Sequence, residues 1–123
     1  MQNIGEIHKM TYTVTKTYTK QDDATFWPWE QTGYSNGLDT AKSDGRLLSH
    51  VLSEDGNTAT TTQEWTSKSA YEDAAVSKND DTLVSQQTQW NTYMSLNNIT
   101  CRSVQEDGTV RVFNSSTQSF ELE

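Results

Sequence analysis

The N-terminal part of the chain alternates regularly between apolar and polar residues. From Ile7 to Lys20 the odd positions from 11 to 19 carry threonines, and the even positions carry larger side chains, among them Met10, Tyr12, Val14 and Tyr18. A period of two predicts a long, half-buried β-strand. Because threonine is β-branched and tolerates water, we expect the odd face to meet solvent or a partner subunit, while the even face packs on helices.

The segment after this strand has no clear period. Pro28, Gly33, Gly37 and Gly45 interrupt any regular pattern between residues 21 and 45. Such residues favour turns over continuous elements. The segment is therefore predicted to be mostly loop, with one short helix at Tyr34–Lys42.

A β-hairpin follows. Arg46–Ser53 has a strand pattern that places Leu48, His50 and Leu52 on one face, with Leu47 and Val51 on the other. Asp55-Gly56-Asn57 suits a tight turn, because Gly and Asn accept a positive φ. Thr58–Trp65 is the partner strand and ends on the Trp65 indole.

Two helical stretches come next. Ser67 and Ser69 offer N-cap oxygens, and Ser69 with Glu72 has the spacing of a capping box. Asn79-Asp80-Asp81 predicts a kink or restart, and Asn97-Asn98 a helix end. Apolar or large residues recur at helical spacing in both stretches, at Ala70, Tyr71, Ala74 and Ala75 and then at Leu83, Gln87, Trp90 and Met94.

The C-terminal part predicts two more strands around the Asp107-Gly108 turn, Ile99–Gln105 and Thr109–Asn114, followed by a polar tail. The whole chain, residues 1–123, is predicted to be one α+β domain with its core at about 7–105 and a C-terminal strand and tail at 106–123. The order β-α-β-β-α-β is that of a ferredoxin-like antiparallel sheet with helices on one face. The last strand would add a C-terminal β-hairpin arm.

The amino-acid composition restricts the classes of molecule that this protein is expected to bind. Only 32% of the residues are hydrophobic, so the core depends on the aromatic residues and a partner subunit is expected to help cover it. The formal net charge of −8 argues against nucleic acid or an anionic membrane, since nothing here would neutralise phosphates. No apolar stretch is long enough to span a membrane and the first residues do not resemble a signal peptide, which predicts a cytoplasmic protein.

Candidate chemistry is sparse. Cys101, the single cysteine, has no histidine near it in sequence and is predicted to be an inert core or strand residue. His8 and His50 could be neighbours in the sheet, but no ligand spacing supports a metal site. No phosphate-binding loop, nucleophile elbow or zinc motif is present. Neither a metal nor a cofactor is predicted.

The densest unusual segment is Phe26-Trp27-Pro28-Trp29, followed by Tyr34. Aromatic rings in this loop could roof a pocket between sheet and helices and stack a flat ligand or a sugar. They could equally fill a hollow core or form a dimer contact. His50, whose parity is that of Leu48 and Leu52, is the histidine expected to point inward.

The segment Gln63-Glu64-Trp65-Thr66-Ser67-Lys68-Ser69-Ala70-Tyr71 resembles the strand-to-helix junction of the antibiotic biosynthesis monooxygenase-like group of dimeric α+β barrels. The resemblance implies a homodimer whose sheets pack face to face, often with a pocket between sheet and helices. Some members oxidise aromatic compounds without a cofactor. The histidine usual in this family just inside the helix is replaced here, since Tyr71 is followed by Glu72-Asp73-Ala74-Ala75.

A second likeness is to small uncharacterised proteins of tailed bacteriophages. It rests on the opening Tyr12–Tyr18, the Leu47-Leu48-Ser49 strand with its Asp55-Gly56 turn, and the asparagine-rich helix end. It implies an accessory protein in the host cytoplasm.

These observations favour a non-enzymatic, homodimeric accessory protein. The alternative is a cofactor-independent monooxygenase-like enzyme, or a binder of a small aromatic molecule. For that alternative the predicted ligand-binding residues are Trp27, Trp29, Tyr34, His50 and Trp65.

Overall fold

The computed structural model describes residues 11–30, 41–75 and 81–123. Within them the chain has the predicted α+β class: one antiparallel sheet of six strands in the order β2-β3-β1-β4-β5-β6. The strands are β1 (Tyr12–Thr19), β2 (Leu47–Asp55), β3 (Thr58–Trp65), β4 (Thr100–Gln105), β5 (Val110–Asn114) and β6 (Ser119–Leu122).

The helices α1 (Lys68–Ala75) and α2 (Asp81–Leu96) cover one side of the sheet, and a short 3-10 turn spans Pro28–Glu30. We call the covered side, which carries Tyr12, Val14 and Tyr18 of β1, the inner face; the opposite side is the outer face. The described helices contain none long and apolar enough to cross a membrane.

The buried apolar residues form two clusters on the inner face. Cluster 1 joins the sheet to α2 and contains Tyr18, Trp27, Ala59, Met94, Ile99, Cys101 and Phe113. Cluster 2 joins the sheet to α1 and contains Tyr12, Val14, Ala41, Leu47, Trp65 and Tyr71. Even positions of β1 thus pack on helices, as the alternation predicts.

The hairpin between β2 and β3 is confirmed. Strand β3 has the predicted bounds, and Gly56 adopts a φ of 60° in the connecting turn. A glycine with positive φ at the first central position is typical of a two-residue hairpin turn, because it matches the twist of the flanking strands.

The predicted faces of β2 are wrong at its start. The register shifts between Leu47, which pairs with Trp65, and Ser49, which pairs with Glu64. This bulge adds one residue to β2. Leu47 therefore lies in cluster 2, on the face that His50 and Leu52 share farther along, whereas Leu48 is exposed.

The C-terminal hairpin is part of the sheet rather than a separate arm. Strand β5 pairs with β4, and the predicted tail forms β6, which pairs with β5. Asn114 accepts hydrogen bonds from the backbone N–H groups of Ser116 and Thr117 through its side-chain oxygen, and so forms the turn between them. The rings of Phe113 and Phe120 then lie 5.4 Å apart on the inner face.

Of the two serines predicted as the N-cap of α1, one has this role in the structure. The Ser67 hydroxyl accepts a hydrogen bond of 3.0 Å from the backbone N–H of Ala70, so Ser67 is the N-cap and Ser69 lies inside the helix. Ala41 to Ser43 are helical, but the rest of the helix predicted at Tyr34–Lys42 lies outside the described residues. So do Asn79 and Asp80 of the predicted kink; α2 begins at Asp81.

Candidate functional site

A row of polar side chains crosses the inner face between the two clusters. In the registers of the sheet, Lys16 of β1 lies beside Thr61 of β3 and Ser103 of β4, and Ser103 lies beside Arg111 of β5. We call Thr61, Lys16, Ser103 and Arg111 the polar row. Hydrophobic residues would be expected at these positions, because the inner face is covered by helices.

A pocket of about 230 Å³ opens over this row. Its walls come from four strands, both helices and the turn before β6. The sheet side consists of Lys16, Ser103, Arg111, Ser119 and Phe120, and the remaining lining residues are Tyr71, Ala75, Gln87, Thr88, Asn91 and Gln118. Because Thr88 and Gln118 are exposed, the pocket reaches solvent on their side.

Lys16 brings a positive charge to the pocket without a compensating carboxylate. Within the described residues it forms no ion pair, and its Nζ lies 4.9 Å from the centroid of the Phe120 ring. Its side chain keeps some solvent access, yet dense packing around it lowers the pKa of the ammonium group through desolvation.

Arg111 is held in place by two neutral residues. Its Nε donates a hydrogen bond of 3.1 Å to the side-chain oxygen of Gln105, and the amide nitrogen of Gln105 donates one of 2.9 Å to the Tyr12 hydroxyl. Gln105 is buried, so this chain of hydrogen bonds is well shielded. In the part of the chain that the structure describes, the terminal nitrogens of Arg111 donate no hydrogen bond and stay available.

Two buried oxygen atoms near the row, Thr61 Oγ1 and Asn91 Oδ1, lack a hydrogen-bond partner, and Ser103 Oγ has only a contact with the Tyr71 hydroxyl that falls outside ordinary hydrogen-bond geometry. Ser103 is 1% exposed and Asn91 6%. Most buried polar atoms in folded proteins are paired, and leaving one unpaired costs stability. Ser103 and Asn91 line the pocket, where a bound molecule could satisfy both.

The turn that closes one side of the pocket is fixed to α2 by three hydrogen bonds. Asn91 Nδ2 donates to the Gln118 carbonyl at 3.1 Å, Thr92 Oγ1 donates to the Gln118 side chain at 3.1 Å, and Ser95 Oγ donates to the Ser115 carbonyl at 2.7 Å. The geometry of the pocket is thus set by the packing of helix against hairpin.

Trp27 and Trp29, two of the predicted ligand-binding residues, lie together but not at this pocket. Their rings stack with centroids 5.1 Å apart, and Trp29 also meets the Tyr18 ring edge-on at 5.3 Å. Trp27 is 1% exposed and belongs to cluster 1. Trp27 therefore fills the core and the half-buried Trp29 packs against it, which is one of the roles that the sequence left open for them.

The other predicted ligand-binding residues are dispersed. Trp65 lies in cluster 2, where its indole donates a hydrogen bond of 3.1 Å to Gln63 and meets the Tyr71 ring. His50 lies on β2 opposite Gln63. Tyr34 lies outside the described residues. The structure therefore does not bring these residues together, and their role in ligand binding stays a prediction.

Cys101 is a core residue, as predicted. Burial raises the pKa of its thiol to about 12, although the nearby Lys16 charge acts in the opposite direction. A thiol in this state is a poor nucleophile. Residues 11–30, 41–75 and 81–123 contain no group of three potential metal ligands, and His8 lies outside them.

Sequence reasoning missed the polar row, although one signal was visible. Lys16 has the parity of Tyr12, Val14 and Tyr18, so a lysine occupies the buried side of a half-buried strand. Ser103 and Arg111 gave no comparable signal, because their place beside Lys16 depends on how three strands pair.

Comparisons with protein-family models, curated proteins and solved structures found no match to this chain. The likeness to the monooxygenase-like group and to phage proteins therefore stays an expectation. What the protein does has to be inferred from its own residues.

Proposed function

We propose that this protein is a non-enzymatic binding domain that holds a small molecule in the pocket over the polar row. The observation that supports the proposal is that Ser103 and Asn91, which both line the pocket, carry buried oxygen atoms without a hydrogen-bond partner of ordinary geometry. A ligand that hydrogen-bonds both would offset the cost of burying them.

The side chains that line the pocket are suited to binding a ligand rather than to catalysis. The lining side chains are two cations, amides, hydroxyls and aromatic rings. Such groups hold and orient a ligand well. Burial holds the thiol of Cys101 in its neutral form. Oxidation of an aromatic substrate, implied by the family resemblance, has no specific support from this geometry.

The proposal is tested with a panel of small neutral, cationic and anionic metabolites added to the full chain. A ligand that binds only the folded state raises the melting temperature, and NMR shifts locate its site. We expect at least one compound to raise it, with shifts concentrated on Ser103, Asn91 and Phe120. Ala75→Leu, which narrows the pocket, should abolish the effect, whereas Ala70→Leu on the same helix should not.

A panel that raises no melting temperature, or shifts confined to residues far from the pocket, would contradict the binding function. A response that Ala75→Leu leaves intact would place the ligand elsewhere.

We further propose that the chain forms a ferredoxin-like homodimer through the outer face. Support for the fold comes from the strand order β2-β3-β1-β4, since pairing β1 between β3 and β4 is what two interlocked β-α-β units require. Support for the dimer comes from the outer face, which is uncovered in the described residues and dominated by threonines: Thr13, Thr15, Thr17, Thr19, Thr58, Thr60, Thr62 and Thr100.

A threonine face suits association because threonine side chains are short and uncharged; the central strands add two charged side chains to it, Glu64 and Arg102. In a chain with a net charge of −8, the central strands keep acidic groups off most of this face, with Glu64 as an exception. A second copy could approach without bringing like charges together.

A further inference from the structure

We infer that the ligand of the pocket is a small organic anion that also carries a hydrogen-bond donor, in the manner of a hydroxy acid. This inference rests on the proposed function, because it names the ligand class of that same pocket. Three properties of the lining residues support it: their charge, their free hydrogen-bonding atoms and the volume that they enclose.

The charge of the pocket is positive. Lys16 and Arg111 both line it, and the described residues supply no carboxylate to either of them. Two cations that share a poorly solvated space repel each other and lose hydration. A ligand anion would offset both effects, whereas a neutral ligand would offset neither.

The guanidinium group of Arg111 is held in an orientation that leaves it able to bind such an anion. The hydrogen bonds from Arg111 to Gln105 and from Gln105 to Tyr12 fix one edge of the guanidinium group. The terminal nitrogens are left for a partner, and two of them match the two oxygens of a carboxylate. Lys16 and the Ser103 hydroxyl, its neighbour across the strands, can donate to the same group.

The requirement for a donor on the ligand comes from Asn91. Its amide nitrogen donates to the Gln118 carbonyl, which can only accept, so the orientation of the amide is fixed. The unpartnered atom is therefore Oδ1, an acceptor. Only a hydroxyl or N–H of the ligand, or a water molecule, can pair with it.

The volume of the pocket limits the size of the ligand. Liquid water takes about 30 Å³ for each molecule, so a pocket of about 230 Å³ has room for roughly eight non-hydrogen atoms. This is the size of a three- or four-carbon acid. A larger aromatic substrate would have to extend out of the opening beside Thr88 and Gln118.

The inference is tested by calorimetric titration of the full chain with malate, succinate, succinamide and inorganic phosphate, at constant ionic strength. Malate carries two carboxylates and a hydroxyl, succinate lacks the hydroxyl, and succinamide is neutral. We expect malate to bind most tightly and succinamide at least about tenfold more weakly, because hydrogen bonds to charged groups contribute most. Succinate should fall between them.

Variants connect the binding to the named residues. Lys16→Met and Arg111→Gln should each weaken malate binding at least about tenfold. Lys42→Met and Arg102→Gln make the same changes of charge at exposed positions outside the pocket, and should leave it unchanged. Ser103→Ala removes one hydroxyl and no charge, and tests the site if either charge variant folds poorly.

The outcomes separate the two proposals. Succinamide binding as tightly as malate would overturn the anionic ligand while leaving a binding pocket. Succinate binding as tightly as malate would overturn the donor, and phosphate binding as tightly as malate would overturn the organic acid. Failure of all four probes would overturn the inference; a neutral or cationic hit in the earlier panel would then still support the binding function.

Discussion

Lys16 occupies a position where charge and burial oppose each other. It lies on the inner face between the two apolar clusters, and desolvation lowers the pKa of its ammonium group. A side chain that costs stability at such a place is commonly retained for function, because binding sites collect strained and poorly solvated groups. Met94 and Val14 are fully buried but apolar, so they carry no such cost.

Lys16→Met should therefore stabilise the unliganded protein at pH 7, by on the order of 1 kcal/mol. Because the pKa of Lys16 is lower in the folded protein than its ordinary value of 10.5, the unfolded chain binds more protons between these two values. The free energy of unfolding of the wild-type protein should thus rise with pH in that window. The advantage of the variant should shrink from pH 7 to pH 10.

Urea unfolding of both proteins at the two pH values measures this difference, and Lys42→Met serves as the control at an exposed position. A variant that is less stable than the wild type at pH 7 would show that contact with the Phe120 ring outweighs desolvation.

At the scale of elements, α1 depends on a single serine for its start. The Ser67 hydroxyl satisfies the backbone N–H of Ala70, one of the first donors in a helix that have no partner within it. Helix α1 has 8 residues, which is too short for a helix to be stable in water without caps and packing. Its Tyr71 carries the contact with cluster 2.

Ser67→Ala should lower the free energy of unfolding by about 1 kcal/mol, since the cap oxygen is lost. Ser69→Ala is the matched control: Ser69 is exposed inside the helix, where alanine has the higher helix propensity, so its stability should be equal or slightly greater. Chemical denaturation of the two variants gives both values. Equal losses would point to Ser69 as a cap as well.

The elements also show where sequence reasoning succeeds and where it stops. Alternation over β1 and β3 and the Gly56 turn depend on neighbours in the chain, so local patterns predicted them. The bulge in β2 shifts the register between Leu47 and Ser49, and the pattern of neighbouring residues in the sequence does not predict this shift. Strand β6 has 4 residues and too little alternation to distinguish it from a tail.

The same limit applies to the candidate site. Lys16 could be singled out by its parity, but Ser103, Arg111 and Asn91 come from three other elements that only the folded chain brings together. For the aromatic loop, the sequence left both core filling and ligand binding open. In the structure Trp27 is buried in cluster 1 and the half-buried Trp29 stacks on it, as expected of a chain with 32% hydrophobic residues that needs large rings to fill its interior.

At the scale of the whole molecule, the threonine face and the pocket lie on opposite sides of one sheet. Association through the outer face would leave the pocket accessible, so a dimer would present two separate ligand sites. Binding and association should then be independent of each other.

The double substitution Thr15→Lys with Thr62→Lys tests the dimer, because these two residues pair across β1 and β3 near the centre of the outer face. Like charges facing each other across an interface cost several kcal/mol, so the dimer dissociation constant should rise about a hundredfold or more. Light scattering after size exclusion gives the mass. Ser85→Lys with Gln89→Lys adds the same charge at exposed positions of α2 and should leave the dimer intact.

A wild-type protein that is monomeric at tens of micromolar, or a double variant that stays dimeric, would contradict association through this face.

Cys101 makes the contact between sheet and helices measurable by thiol labelling. It is the single cysteine of the chain and packs in cluster 1 together with Met94 of α2. A buried thiol with a pKa raised to about 12 reacts with a labelling reagent only after the helix layer separates from the sheet. The labelling rate of the unmodified protein thus reports how often this layer opens, and a ligand bound beneath α2 would slow it.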